Sequence, residues 1–358
     1  MGPRLLAVLG TGAKATGRSR RHGKRREIGL ERLEGRELLS RAPFSGGEAI
    51  PPVEIARFSR VRQAIANDTT TPTVVGQTVL QDIVYNKDGE KLDVYLPVGQ
   101  APAGGWPAIV AFPGGGWRWA SKKDYGGRAS VLTHYGFAVI AADYTYSSGA
   151  PGSRAWPADF NDVRAAVQWV RNHADRFKID PNKIAAMGES SGAYMANMLG
   201  VYPNGPVVAD SLPAGATAQT PPSPGQTSAS VSAVVDFYGP TNIPTLYQDA
   251  PKTRDYVTTF IGGTPDQLPG RAASASPVNY VAPGDPPFFI VHGTADTAVP
   301  DTQSIQLAAE LQAAGVPHRV IYLDGYKHGF SFQNSPPFVL QGVVAFLNQA
   351  FDHQAITT

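Results

Sequence analysis

Along most of the chain, short apolar runs alternate with stretches of helical periodicity. Six runs are continuous: Ala108–Phe112, Phe137–Ala142, Ile184–Met187, Val231–Phe237, Phe288–Val291 and Val320–Leu323. A strand that is apolar on both faces belongs inside a sheet covered on both sides, so these runs predict parallel strands joined by crossover helices. Ahead of them, Val79–Tyr85 and Leu92–Leu96 alternate apolar and polar positions, with Asn86-Lys87-Asp88-Gly89 between. Alternation around such a turn predicts an antiparallel hairpin at the sheet edge. The expected architecture is an α/β fold with a mostly parallel eight-stranded sheet, the second strand antiparallel, and helices on both faces.

The helical stretches follow the 3.6-residue period. Asp159–Phe177 puts Phe160, Val163, Ala166, Val167 and Val170 on one face and predicts one long helix. Asp301 stands where an N-cap would for Thr302–Ala314, which ends at Gly315. Phe338–Phe351 predicts a last amphipathic helix. Two insertions break the alternation. Residues 203–229 are rich in Pro, Ala, Gly, Thr and Ser and predict a loop, and residues 241–285 show only a short helical pattern near Asp255–Ile261. The second insertion follows a late strand, where a small lid over a site is expected.

Composition changes this picture at one end of the chain. The 358 residues are 42% hydrophobic and 17% charged, with no cysteine, which excludes disulfides and thiol catalysis. Residues 1–41 carry eleven Lys/Arg against four Glu, while the rest is mildly acidic, so the net charge of +2 conceals a basic tail. Residues 1–45 are therefore read as a disordered tail, 46–75 as a Pro/Thr-containing linker and 76–356 as one catalytic domain. Nothing in the acidic part suggests a nucleic-acid groove, so no nucleic-acid partner is expected. No apolar run reaches the roughly 18 residues of a membrane span, and no transmembrane segment is predicted. Leu30-Glu31-Arg32-Leu33-Glu34-Gly35-Arg36-Glu37-Leu38-Leu39-Ser40 resembles the LEPR-XLL type of N-terminal motif of exported bacterial proteins. It implies an extracytoplasmic or cell-surface location.

Candidate chemistry centres on Gly188-Glu189-Ser190-Ser191-Gly192, the one Gly-x-Ser-x-Gly in the chain. It lies between the strand run Ile184–Met187 and the helical run Ala193–Leu199, the strand–turn–helix that a nucleophile elbow requires. A serine hydroxyl needs a base to become a nucleophile, and in this arrangement an acid and then a histidine follow in the chain. Of seven histidines, His328 lies in the loop after the last strand, where that base belongs. His292 and His318 sit at strand ends and read as structural. Asp296, after the strand Phe288–Val291, is the expected acid, with Asp301 and Asp324 read as a cap and a turn residue. An oxyanion needs preorganised donors, and Pro113-Gly114-Gly115-Gly116-Trp117 follows a strand end where glycines let N–H groups converge. Gly115, Gly116 and the N–H of Ser191 are the predicted hole.

Together, Pro113–Trp117, Asp143-Tyr144, Gly188–Gly192, His292–Pro300 and Lys327-His328-Gly329-Phe330 resemble the esterase/lipase group that includes hormone-sensitive-lipase-like enzymes. The closest resemblance is to bacterial feruloyl/acetyl esterases of the bifunctional type. It spans residues 76–350 and implies an α/β-hydrolase fold, ester hydrolysis through an acyl-enzyme, and no metal or organic cofactor. It also implies small-molecule or polysaccharide-linked ester substrates, such as acetyl or feruloyl groups on plant polymers. Asp143 and Asp162 fit family positions read as structural, and Trp117 is a substrate-binding residue or a seal for its loop. Pro113 departs from the family histidine before the three glycines, and a proline ring donates nothing to brace the loop. Two other functions remain open at this level: a prolyl-oligopeptidase-like peptidase or amidase, and a non-catalytic surface-binding protein of the same fold.

Overall fold

The structure, a computed structural model, describes residues 78–119, 121–147, 156–206, 210, 222–354 and 356. The predicted tail, the linker and most of the loop within 203–229 lie outside the described residues.

The described strands are β1 (Thr78–Val84), β2 (Lys91–Leu96), β3 (Trp106–Phe112), β4 (Ala138–Ala142), β5 (Ile179–Glu189), β6 (Ala233–Phe237), β7 (Phe288–Gly293) and β8 (His318–Leu323). They form one eight-stranded sheet in the order β1-β2-β4-β3-β5-β6-β7-β8. β2 runs antiparallel to both β1 and β4, and every other pairing is parallel. The architecture is that of an α/β-hydrolase. The helices are α1 (Gly126–His134), α2 (Ala158–Asn172), α3 (Ala174–Phe177), α4 (Ser191–Val201), α5 (Ile243–Asp249), α6 (Arg254–Ile261), α7 (Pro269–Ser274), α8 (Thr302–Ala313) and α9 (Pro337–Phe351).

Alternation along the buried strands divides the core into two halves. Val110, Ile140, Ala186, Val234 and Ile290 pack with Val163 and Val167 of α2, Met195 and Leu199 of α4, and Leu307 of α8. Their strand neighbours Ile109, Val139, Ala185, Val235 and Val291 face the other way, against Leu132 of α1 and Val343, Phe346 and Leu347 of α9. Each of the fully buried Val, Leu, Ile, Met and Phe side chains contributes roughly 1.5–3 kcal/mol, which holds the sheet rigid enough to carry strained loops at its strand ends.

Three helix expectations are corrected. The stretch Asp159–Phe177 is two helices, because His173 leaves helical geometry and hydrogen-bonds from Nδ1 to the Trp169 carbonyl at 2.8 Å. Asp301 holds the N-cap position of α8, but its side chain makes no capping bond there. The insertion 241–285 carries three short α-helices where one was read, since Pro269 opens α7 and the side chain of Asn242 caps α5. Gly315, at φ +69°, ends α8 as expected.

The edge hairpin is tied to the rest by a buried charge. Lys122, 2% exposed, reaches Asp93 Oδ1 at 2.6 Å and Asp82 Oδ1 at 2.9 Å, linking β1 and β2 to the segment after β3. A second buried acid is less well compensated. Asp285 accepts the Ala282 N–H at 2.9 Å, but its Oδ1 has no partner among the described residues. Burial pushes its carboxyl up from the ordinary 3.8 to about 7, against the pull of that N–H. The folded chain therefore holds this proton more tightly than the unfolded chain. Its stabilising contribution is complete below pH 3.8 and is lost as pH rises to about 7. Asp285→Asn is expected to raise the Tm by about 4 °C at about pH 8 and to change it little at about pH 4. Thermal unfolding at the two pH values checks this, and an equal effect at both would refute it.

Candidate active site

Ser190 sits between the end of β5 and the start of α4, at φ +54° and ψ −123°. A side chain in that region costs on the order of 1–3 kcal/mol, so the surroundings must impose it. They do so by backbone bonds: the Ser190 N–H donates to the Phe237 carbonyl at 2.9 Å, and the Ser190 carbonyl accepts from the Tyr194 N–H at 3.0 Å. The flanking glycines are required by close approach. A Cβ on Gly188 would lie 2.2 Å from the Gly192 carbonyl carbon, and one on Gly192 would lie 2.0 Å from the Phe112 carbonyl oxygen.

The structure brings Ser190, His328 and Asp296 into one hydrogen-bonded line. His328 Nε2 is 2.9 Å from Ser190 Oγ, and His328 Nδ1 is 2.6 Å from Asp296 Oδ2. Asp296 Oδ1 accepts the N–H groups of Ala298 and Val299 at 2.8 and 2.9 Å, which fixes the carboxylate from behind. Burial works against its charge, but the His292 and His328 rings and the Val299 N–H outweigh burial and hold the carboxyl below its ordinary range. A carboxylate facing Nδ1 makes that nitrogen the donor and leaves Nε2 as an acceptor for the serine proton. The arrangement can therefore move a proton off Ser190 and stabilise the imidazolium that results.

The glycine loop follows β3 and lies against the elbow. A Cβ on Gly114 would come within 2.5 Å of the Glu189 carbonyl oxygen, so only glycine permits the approach. Among the three predicted donors, the structure separates Gly115 from the others. Its N–H donates to Ser191 Oγ at 3.0 Å and is withdrawn from the hole. The N–H groups of Gly116 and Ser191 have no acceptor among the described residues. Trp117 does not offer a face to a substrate: it is 1% exposed, stacked on Phe260 at 4.3 Å and edge-on to Tyr194 at 5.3 Å. The ring seals the loop because α6, from the lid insertion, covers it. Tyr256 of the same helix lies directly over Gly116, where an added Cβ would meet its ring at 2.4 Å.

One residue of the site, Tyr238, lies outside every motif read from the sequence. Tyr238, after β6, packs edge-on against the His328 ring at 4.8 Å, and its hydroxyl donates to the Phe330 carbonyl. Its position at a strand end beside a glycine was the available hint. His292, read as structural, is buried; its Nε2 lies 2.8 Å from the Val299 carbonyl and 3.6 Å from Asp296 Oδ2, so it supports the acid loop. Asp143 and Asp162 do have scaffold roles, accepting from the Lys122 N–H and from Asn86 and Thr145. Glu189, beside Ser190, pairs with Arg128 at 2.8 Å. Burial pushes its carboxyl up to about 7, with Arg128 and Tyr238 opposing.

Residues 92–311 match the model of the BD-FAE family. The chain is 29% identical to Esterase LipQ of Mycobacterium tuberculosis over 65% of this chain and 53% of that protein. It is 29% identical to Esterase LipC of the same organism over 76% of this chain and 66% of that one. The chain thus spans from about half to just under two thirds of these relatives. Among solved structures, a truncated carbohydrate esterase from gut microbiota superposes with a TM-score of 0.66 at 28% identity, over 78% of this chain and 99% of that one. The propionate-bound esterase 2 of Thermogutta terrifontis gives 0.57 at 25%, over 78% and 94%. The matched segment takes in the glycine loop, the elbow and Asp296, and runs for more than half of the sequence. On that match and on the eight-stranded sheet, the chain belongs to the BD-FAE family and has the α/β-hydrolase fold.

Proposed function

We propose that the chain is a serine carboxylic-ester hydrolase. The observation that carries this reading is the line from Ser190 Oγ through His328 to Asp296, with links of 2.9 and 2.6 Å. Ser190 Oγ attacks the ester carbonyl carbon as its proton passes to His328 Nε2. The carbonyl oxygen becomes an oxyanion facing the N–H groups of Gly116 and Ser191. The C–O bond to the alcohol then breaks, His328 returns the proton to the leaving oxygen, and the acyl group stays on Ser190. Water, deprotonated by His328, repeats the sequence in reverse and releases the acid.

The substrate class is the finer part of the proposal: acetyl or feruloyl groups on plant polysaccharides. It draws support from the carbohydrate esterase neighbour and from a further one described as a bifunctional GH43-CE of Bacteroides eggerthii, 28% identical. An exported location, implied by the tail motif, would put the enzyme where such polymers are. Cell fractionation tests the location.

Two measurements test the activity. A fluorophosphonate is expected to label Ser190 one-to-one and to abolish p-nitrophenyl acetate hydrolysis. Labelling at another residue with full loss of turnover would sink the nucleophile assignment. Acetylated xylan and methyl ferulate are expected to release acid. If neither does while p-nitrophenyl acetate turns over, the polysaccharide reading falls and the ester-hydrolase reading stands.

A further inference from the structure

We propose that the Ser191 hydroxyl and the Tyr144 phenol act together as positioning residues that set the oxyanion loop, supplying the brace that Pro113 cannot. The inference rests on the ester-hydrolase reading of the site and names what holds one half of it in place.

Three contacts define the brace. The Gly115 N–H donates to Ser191 Oγ at 3.0 Å, Tyr144 Oη donates to the Pro113 carbonyl at 3.0 Å, and Tyr144 Oη lies 3.3 Å from Ser191 Oγ. The donors can be assigned without conflict. Tyr144 spends its one proton on a carbonyl that can only accept, so the Ser191 proton points to Tyr144 Oη, and the Ser191 oxygen still accepts from Gly115. Each hydroxyl donates once and accepts once. The result is a closed set of bonds from Pro113 to Gly115 through two side chains outside the loop.

The brace sits in a dry environment. Ser191 is 1% exposed and Tyr144 is fully buried. Burial pushes the Tyr144 phenol well above its ordinary range, so it remains a donor across the working range of pH. In such surroundings each bond costs more to lose than at the surface.

Consequences for the hole follow from the chain order. Gly115 is tied sideways, so the next peptide is fixed and the Gly116 N–H is the loop's donor to the oxyanion. Ser191 is the other donor through its own N–H, at the start of α4. One residue thus donates from its backbone and, through its side chain, sets the angle of the opposing donor. Pro113 has neither an N–H nor a polar side chain with which to do this.

Ser191→Ala and Tyr144→Phe test the idea. A misplacement of about 1 Å at a reacting centre costs on the order of 100-fold, and a loosened donor somewhat less. Each variant is expected to lower kcat for p-nitrophenyl acetate by roughly 30-fold, with KM within about twofold. Affinity for a trifluoromethyl ketone, whose hemiketal oxygen occupies the hole, is expected to fall by the same factor as kcat/KM. Because the two side chains act as a unit, the double variant should be no slower than the slower single one. The proposal is overturned if kcat stays within about twofold in both variants, or if kcat falls while trifluoromethyl ketone affinity holds. Multiplicative losses in the double variant would also overturn it. A failure of the underlying reading is seen separately, as turnover that survives Ser190→Ala.

Discussion

Replacing Asp296 by asparagine is expected to lower kcat by about 10⁴-fold, approaching the loss from Ser190→Ala, with the fold intact. The reason is the orientation that the acid loop imposes. The Ala298 and Val299 N–H groups both donate to Oδ1, so an asparagine there must place its carbonyl oxygen at that position. Its NH₂ group then faces His328 Nδ1, which stands 2.6 Å from the present Oδ2. A donor at that point forces Nδ1 to accept, and the ring proton moves to Nε2. Nε2 is the atom 2.9 Å from Ser190 Oγ, and once protonated it cannot take the serine proton. The side chains keep their places while the tautomer is wrong. Stopped-flow hydrolysis of p-nitrophenyl acetate measures the fall, and unchanged circular dichroism confirms the fold. A loss below about tenfold would mean that His328 is not the base or that Asp296 does not set its tautomer.

The second large effect is expected from Gly192→Ala. The added carbon would lie 2.0 Å from the Phe112 carbonyl oxygen, 2.6 Å from its carbon and 2.8 Å from the Pro113 oxygen. All three are backbone atoms at or just past the end of β3, a strand held between β4 and β5 and paired through Phe112 to Gly188, so they have little room to retreat. Relief therefore has to come from α4, which carries the Ser191 N–H, or from the elbow itself. Overpacking of this kind costs about 3 kcal/mol, which corresponds to a Tm lower by roughly 6–12 °C in a domain of this size. Moving the elbow by even a fraction of an ångström against the glycine loop is expected to cut kcat by about 100-fold or more. Calorimetry and turnover measured on one preparation check both numbers. A variant with wild-type Tm and activity would show that the elbow and the loop are not in contact in solution.

The contrast between Gly188–Gly192 and Gly114–Gly116 shows how far a sequence can be read. Both glycine sets announce tight turns, and their places after strand runs announce which turns. Neither set reveals which partner each approaches. Gly192 is needed by the Phe112 carbonyl, Gly114 by the Glu189 carbonyl and Gly116 by the Tyr256 ring, three different segments of chain. Two of those contacts join the loop after β3 to the elbow after β5, and the third joins it to the lid.

Local pattern alone determined the strand runs, the antiparallel second strand and the strand–turn–helix around the elbow serine. These properties depend on neighbours in sequence: burial on both faces makes a continuous apolar run, and a strained turn needs small residues beside it. The tertiary structure decided what depends on distant residues. It withdrew the Gly115 N–H to the Ser191 hydroxyl, buried Trp117 beneath Phe260, set Tyr238 against His328 and raised the carboxyls of Glu189 and Asp285. Hydrogen-bond direction, ring packing and desolvation arise only when segments far apart in the chain meet. No periodicity along the chain encodes them.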